Sequence, residues 1–187
     1  GADASAFSPY HLSKKAADDC LRSLDLDWFV LRPSLIYGRG GGSAELFMRL
    51  AVLPMIPVIG DGQQKLQPVH IGDVVATALR ALIVPESRQT LDIVGKETIA
   101  FAEWLNKMRE VQGSRPAPLL RVPFGIAMAC ARLGRYLHPI LQPDNLRMLK
   151  AGYWADPAPV EKFLGRPLLC SAPPLFFADA ATFGSAS

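Results

Sequence analysis

The chain has no large excess of either charge, few cysteines and no long apolar run. Its 187 residues include 20 Lys or Arg against 17 Asp or Glu, a formal net charge of +3, with the basic residues spread along the chain. Phosphate contacts could not dominate binding at that balance, so a nucleic-acid partner is not expected. A long uncharged apolar stretch, residues 122–131, lies between Arg121 and Arg132. It falls well short of the roughly 20 residues needed to span a bilayer core, and no basic-then-apolar leader opens the sequence, so neither a membrane span nor a secretory signal is expected in this chain. Cys20, Cys130 and Cys170 are odd in number, widely spaced and without a C-x-x-C pair. They read as thiols of a reducing, cytoplasmic compartment, with Cys20 and Cys130 serving as small apolar residues on helices. His11, His70 and His138 are scattered, which speaks against a metal site. What is present is a 50% hydrophobic composition with mixed charges and 9% aromatics, enough for one core and unlike a disordered chain.

Ser8-Pro9 opens a helix that runs to about Leu24, because a Ser oxygen caps free amides and Pro suits the first turn. Trp28-Phe29-Val30-Leu31 follows as an apolar strand of the kind buried on both faces of a parallel sheet. After the glycines at 40–42, a helix is expected from Ser43 to about Val52. Pro54, Pro57 and Gly60-Asp61-Gly62 then read as loop. Pro68 to Ile71 is a short strand, and Asp73 is expected to cap a helix carrying Val74, Val75, Ala78, Leu79, Leu82 and Ile83. Residues 91–94 read as a strand, about 101–111 as a helix and 119–122 as one more strand. Helices are expected at 124–136, 145–151 and 156–164, with a tail that frays from 171. Few strands among many helices give an α/β class with a sheet too small for its helices. Together with an initial Gly in place of Met, this reads as a truncated piece of a larger protein.

Two glycine stretches were candidates for a dinucleotide turn, which needs G-x-G-x-x-G between a strand and a helix. Gly38-Arg39-Gly40-Gly41-Gly42-Ser43 fails at its last position. Gly60-Asp61-Gly62-Gln63-Gln64-Lys65 also fails and leads into no helix. Both read as turns, which leaves no pyrophosphate site in this chain.

Tyr10 and Lys14 stand four apart on the first predicted helix and so share a face. A phenol titrating near 10 is a poor base at neutral pH, and a neighbouring ammonium favours its phenolate. Such a pair can exchange a proton with a substrate hydroxyl while hydride moves to or from a nicotinamide. The same spacing also arises from a core tyrosine beside a solvated lysine.

The run Ser8-Pro9-Tyr10-His11-Leu12-Ser13-Lys14, then Trp28-Phe29-Val30-Leu31-Arg32-Pro33-Ser34-Leu35-Ile36-Tyr37-Gly38, resembles the extended and atypical short-chain dehydrogenase/reductases, the NAD-dependent epimerase/dehydratase family. Pro57-Val58-Ile59-Gly60-Asp61-Gly62 and Val69-His70-Ile71-Gly72-Asp73-Val74-Val75 continue the resemblance in order. It implies the C-terminal part of a Rossmann-type doubly wound fold with a mostly helical substrate-side region. The division it implies is the end of the sheet at 1–95, the substrate-side region at 96–170 and a tail at 171–187. Tyr10 would be the acid/base, Lys14 would also bond the nicotinamide ribose, and Pro33 and Ser34 would border the nicotinamide. The loop 37–43 and the turn at Gly60 to Gly62 would face the substrate cleft, while His70 and Asp73 would serve structure. NAD or NADP would belong to the full-length protein, with none expected on this chain, because the family's glycine fingerprint precedes the tyrosine.

Nucleotide-sugar enzymes of the family carry an arginine four residues past the Gly-Asp-Gly loop. Leu66 stands at that position, and an apolar residue cannot offset the desolvation of a diphosphate. The Gln-Pro-Val-His version is closest in pattern to the atypical branch related to the NAD(P)-binding accessory subunit of respiratory complex I. Some bacterial relatives of that kind carry a membrane domain, so membrane association of the longer protein is compatible with the pattern. The expected partner is a small-molecule substrate, and an unpaired sheet edge offers a route to self-association. Two roles remain open: a reductase, epimerase or dehydratase, or a non-catalytic NAD(P)-binding accessory or assembly protein that retains the fold.

Overall fold

The computed structural model of the chain describes residues 9–38, 42–134 and 143–171. Helix α1 spans Pro9–Ser23 and leads into strand β1, Phe29–Pro33, and the two-residue β2, Ile36–Tyr37. Helix α2, Gly42–Ala51, precedes β3, Ile56–Ile59, β4, Lys65–Leu66, and β5, Val69–His70. Helix α3, Ile71–Ala81, is followed by β6, Gln89–Ile93, β7, Ile99–Ala100, and α4, Phe101–Val111. The last elements are β8, Leu119–Val122, α5, Phe124–Gly134, α6, Pro143–Ala151, and α7, Ala158–Leu164.

Among the described residues, three of the four strand pairs are parallel and one is antiparallel. β1 lies beside β6 in the register Phe29↔Gln89 to Pro33↔Ile93, β2 beside β5, and β3 beside β8. Only β4 and β7 run antiparallel. The α/β class therefore stands, with parallel strands joined through helices as in a Rossmann-type fold.

Residues 56–59 were expected to be loop because of Pro57, yet they form a strand. The backbone resolves the conflict: Ile56 N and Gly60 N donate to Pro118 O and Val122 O at 2.9 Å, so the even-numbered amides face β8. Pro57, which has no N–H to give, points its nitrogen the other way. A second departure is the cap of α3. His70 is the N-cap, its Nδ1 accepting from Gly72 N at 3.0 Å, and Asp73 lies inside the first turn. A third concerns the thiols. Cys20, Cys130 and Cys170 are all exposed, so none of them serves as an apolar core residue. Helix α7 begins at Ala158, two residues later than expected, with Asp156 Oδ1 accepting from Ala158 N at 3.0 Å. It ends at Gly165, whose φ of 71° suits the left-handed cap that stops a helix.

The core has two parts. The larger gathers Trp104, Leu105 and Met108 of α4 with Ile56 and Val58 of β3, Tyr37 of β2 and Leu66 of β4. The smaller joins Val69 and Ile93 to Val160 of α7 and Leu168 beyond it. The last helix thus returns to pack on β6 and α3.

Candidate functional site

The orientation of α1 follows from its anchors. Arg32 of β1 donates to Asp18 Oδ2 from Nη2 at 2.8 Å and from Nε at 3.2 Å, a half-buried pair. One turn further along α1, Arg22 donates to Thr90 Oγ1 at 3.0 Å and lies over the Trp28 ring. As α1 advances from 18 to 22 its partner on the first strand region retreats from 32 to 28, so helix and strand are antiparallel. At 1.5 Å per residue, positions 14 and 10 lie about 6 and 12 Å toward the helix start from Asp18, on the side of the carboxyl end of β1. That end of a parallel sheet is where ligands of open α/β folds sit.

Lys14 is exposed on α1, and Tyr10 occupies the helix position one turn before it. The Tyr10 side chain lies outside what the structure describes. Pro33 is exposed at the last position of β1. Ser34 follows it but is committed to the scaffold: its amide donates to Ile93 O at 3.0 Å and its hydroxyl to Gln67 O at 2.5 Å.

Gln67, the first residue of the Gln-Pro-Val-His pattern, ties this end of the sheet together. It is buried, its Nε2 donates to Gly95 O at 2.8 Å, and its Oε1 accepts from Ala155 N at 2.9 Å. Gly95 N in turn donates to Gln67 O at 3.3 Å. A Cβ on Gly95 would lie 1.8 Å from Pro68 O, so the two backbones cross in contact. Beside this crossing, Tyr153 donates to Asp92 Oδ1 at 2.9 Å, and Asp92 is in register with Arg32. A glutamine before a proline inside an apolar stretch was the available signal for this hub.

Tyr37 was expected to border the cleft and is instead in the core. It is 1% exposed, edge-on to His70 and Trp104 with ring centroids 5.2 Å away in each case, and donates to Cys170 O at 3.1 Å. Burial pushes its phenol well above the usual value of 10, and a hydrogen bond with the Ser171 side chain works the other way. The neutral form is thus favoured by folding, so its contribution is intact below pH 10 and is lost as the pH climbs above it. Alkaline unfolding above pH 10, followed by circular dichroism, is expected to be less steep in Tyr37→Phe. That variant also loses the Cys170 bond, at a cost near neutral pH of about 1 kcal/mol.

Asp73 is buried and structural. Its Oδ2 accepts from Leu169 N at 2.9 Å and its Oδ1 pairs with Arg166 Nη2 at 2.7 Å, which straps residues 166–171 over the start of α3. The turn at Gly60 to Gly62 uses its own amides: Gly62 N donates to Ile59 O at 3.2 Å and Gln63 N to Asp61 Oδ1 at 3.0 Å. Gly62 is buried against Ala102 and Val58, while Gly60 and Asp61 of the same turn are exposed. The other glycine stretch, at 39–41, lies outside the described residues. Among the described residues no group of three His, Cys, Asp or Glu could hold a metal.

Residues 2–94 match the family described as NAD dependent epimerase/dehydratase. Over that stretch the chain belongs to this family. A ceramide reductase of Caulobacter vibrioides is 28% identical over 120 residues, 63% of this chain and 37% of that protein. The fold is similar to UDP-glucuronic acid 4-epimerase from Bacillus cereus in complex with NAD, with a TM-score of 0.66 and 17% identity over 94% of this chain and 52% of that one. It is also similar to UDP-glucose 4-epimerase with UDP-glucose from Thermotoga maritima, with a TM-score of 0.65 and 19% identity over 95% and 53% of the two chains. The chain therefore spans about half the length of these structures. Among its described residues, no helix is long and apolar enough to cross a membrane.

Proposed function

We propose that this chain is the substrate-side half of an NAD(P)-dependent oxidoreductase of the epimerase/dehydratase family, with Tyr10 as acid/base and Lys14 as its partner. The observation that supports the reading is the anchoring of α1 by Asp18 and Arg32: the antiparallel course of the helix carries positions 10 and 14 toward the carboxyl end of β1, the end at which exposed Pro33 stands. The nicotinamide end of a dinucleotide would lie there, with Lys14 at the ribose and Pro33 and Ser34 bordering the ring. At the turn from Gly60 to Gly62 the amides of Gly60, Gly62 and Gln63 already have partners, which supports the reading that the pyrophosphate of NAD or NADP would be held by other polypeptide of the full-length protein. When bound, the nicotinamide supplies hydride transfer. Tyr10 passes a proton to or from the substrate oxygen, and Lys14 stabilises the phenolate between those events. Ser34, whose hydroxyl donates to Gln67 O, would border the ring from the end of the strand.

The substrate is a carbonyl or secondary alcohol without a diphosphate. Leu66 is 6% exposed and part of the core, so the position where nucleotide-sugar enzymes of the family carry a cation is closed. The similarity to a ceramide reductase agrees with that class. Lys14→Met in the full-length protein tests the pair. Nicotinamide turnover at pH 7 is expected to fall by roughly 10²-fold or more, with the rising limb of the pH–rate profile displaced to higher pH. An unaltered profile would refute the lysine's role, and a protein that binds nicotinamide without any turnover would be the accessory kind.

A further inference from the structure

The apolar run 122–131 has no part in the chemistry above. It forms the end of β8 and most of α5, whose Met128 and Ala131 are buried. The opposite face of the same helix is apolar as well. Ile126 is 56% and Leu133 75% exposed, and Ala129 and Cys130 between them are also exposed. A helix that is apolar all round is matched to an apolar surrounding, not to water. Its eleven residues amount to about 16 Å, too short to span a bilayer core but enough to lie in the plane of one.

The charge around it decides the kind of surface. Basic residues are spread along the chain, but acidic residues avoid this region. Residues 112–155 hold six Lys or Arg and one acid, Asp144, whereas the rest of the chain holds 14 basic against 16 acidic residues. Asp144 is itself paired with Arg147 at 2.8 Å. Arg121 and Arg132 are exposed at the two ends of the apolar run. Lys150 of α6 has its Nζ 4.4 Å from the ring centroid of Phe124, which brings a further cation to the start of α5.

We propose that α5 docks this chain on an anionic phospholipid surface. Ile126, Cys130 and Leu133 enter the acyl boundary, and Arg121, Arg132 and Lys150 meet the headgroups. An apolar patch bordered by cations and free of carboxylates is complementary to such a surface. The proposal does not depend on the Tyr10 and Lys14 chemistry.

Co-sedimentation of the 187-residue chain with phosphatidylcholine vesicles, with and without phosphatidylglycerol, tests it. Binding is expected only to the mixed vesicles, falling with added salt, and Ile126→Glu with Leu133→Glu is expected to lower it at least tenfold. Ile83→Glu, at an exposed apolar position in the turn just beyond α3, should leave binding intact. Should the double variant fail to fold, an environment-sensitive dye on Cys130 of the otherwise unaltered helix should shift to the blue on mixed vesicles while one on Cys20 does not. The proposal is overturned by equal or absent binding to the two vesicle types, by an equal loss in Ile83→Glu, or by the Cys20 dye responding as the Cys130 dye does. It is overturned too if light scattering shows a dimer in solution that the α5 substitutions take apart, because the face then belongs to a second copy.

Discussion

Replacing Tyr10 with Phe in the full-length protein is expected to lower nicotinamide-dependent turnover by roughly 10²- to 10⁴-fold, the range that one positioned acid/base contributes. The substitution removes one oxygen and leaves the aromatic ring. Helix α1 is held by Asp18, Arg22 and the strand residues they meet, all two or more turns from position 10, so the thermal midpoint should barely move. The decisive readout is the division between constants: kcat falls, KM for the nicotinamide stays close to its original value, and the pH dependence of the remaining rate flattens. A rate within threefold of the parent's would remove Tyr10 from the chemistry. A comparable loss from Ser34→Ala would do the same for the structural assignment of Ser34, whose hydroxyl is taken by Gln67 O.

Gly95→Ala is expected to be the most damaging small substitution in the chain. Its new methyl would stand 1.8 Å from Pro68 O and 2.7 Å from Pro68 C, and both are backbone atoms that no rotamer change can move aside. Separating the strands would break the Gly95–Gln67 bonds and expose the end of the smaller core, where Ile93 and Val69 are fully buried. The cost is about 3 kcal/mol or more, large against the total stability of an ordinary domain. Urea unfolding should show a lower midpoint with an unchanged slope. Gly125→Ala, on helix α5 with nothing within 4 Å of the added carbon, is the control and is expected to be neutral or to gain up to about 1 kcal/mol.

These two positions mark the boundary of what could be read in advance. The Tyr-x-x-x-Lys spacing, the Arg-Pro that ends the first strand and the family to which the stretch belongs were legible because each is a local pattern, complete within a few residues. The α/β class was legible for the same reason, as apolar strands alternate with amphipathic helices.

Other features needed the chain to be folded. Tyr37 looked like a cleft residue beside a glycine loop, but its hydroxyl meets a carbonyl 133 residues away and its ring is enclosed by His70 and Trp104. Asp73 had the spacing of a cap, yet the imidazole three residues earlier reached the free amide and left the carboxylate for Arg166. Gln67 gave almost no signal of its tie to the sheet end, because its partners at Ser34, Gly95 and Ala155 lie 28 to 88 residues away. Sequence alone determined the α/β class, most of the helices and strands and the family resemblance, since periodicity and motif are local. Tertiary structure alone decided which polar groups are spent on holding the sheet end together, because a buried donor or acceptor takes whichever partner the fold brings within reach, however distant along the chain.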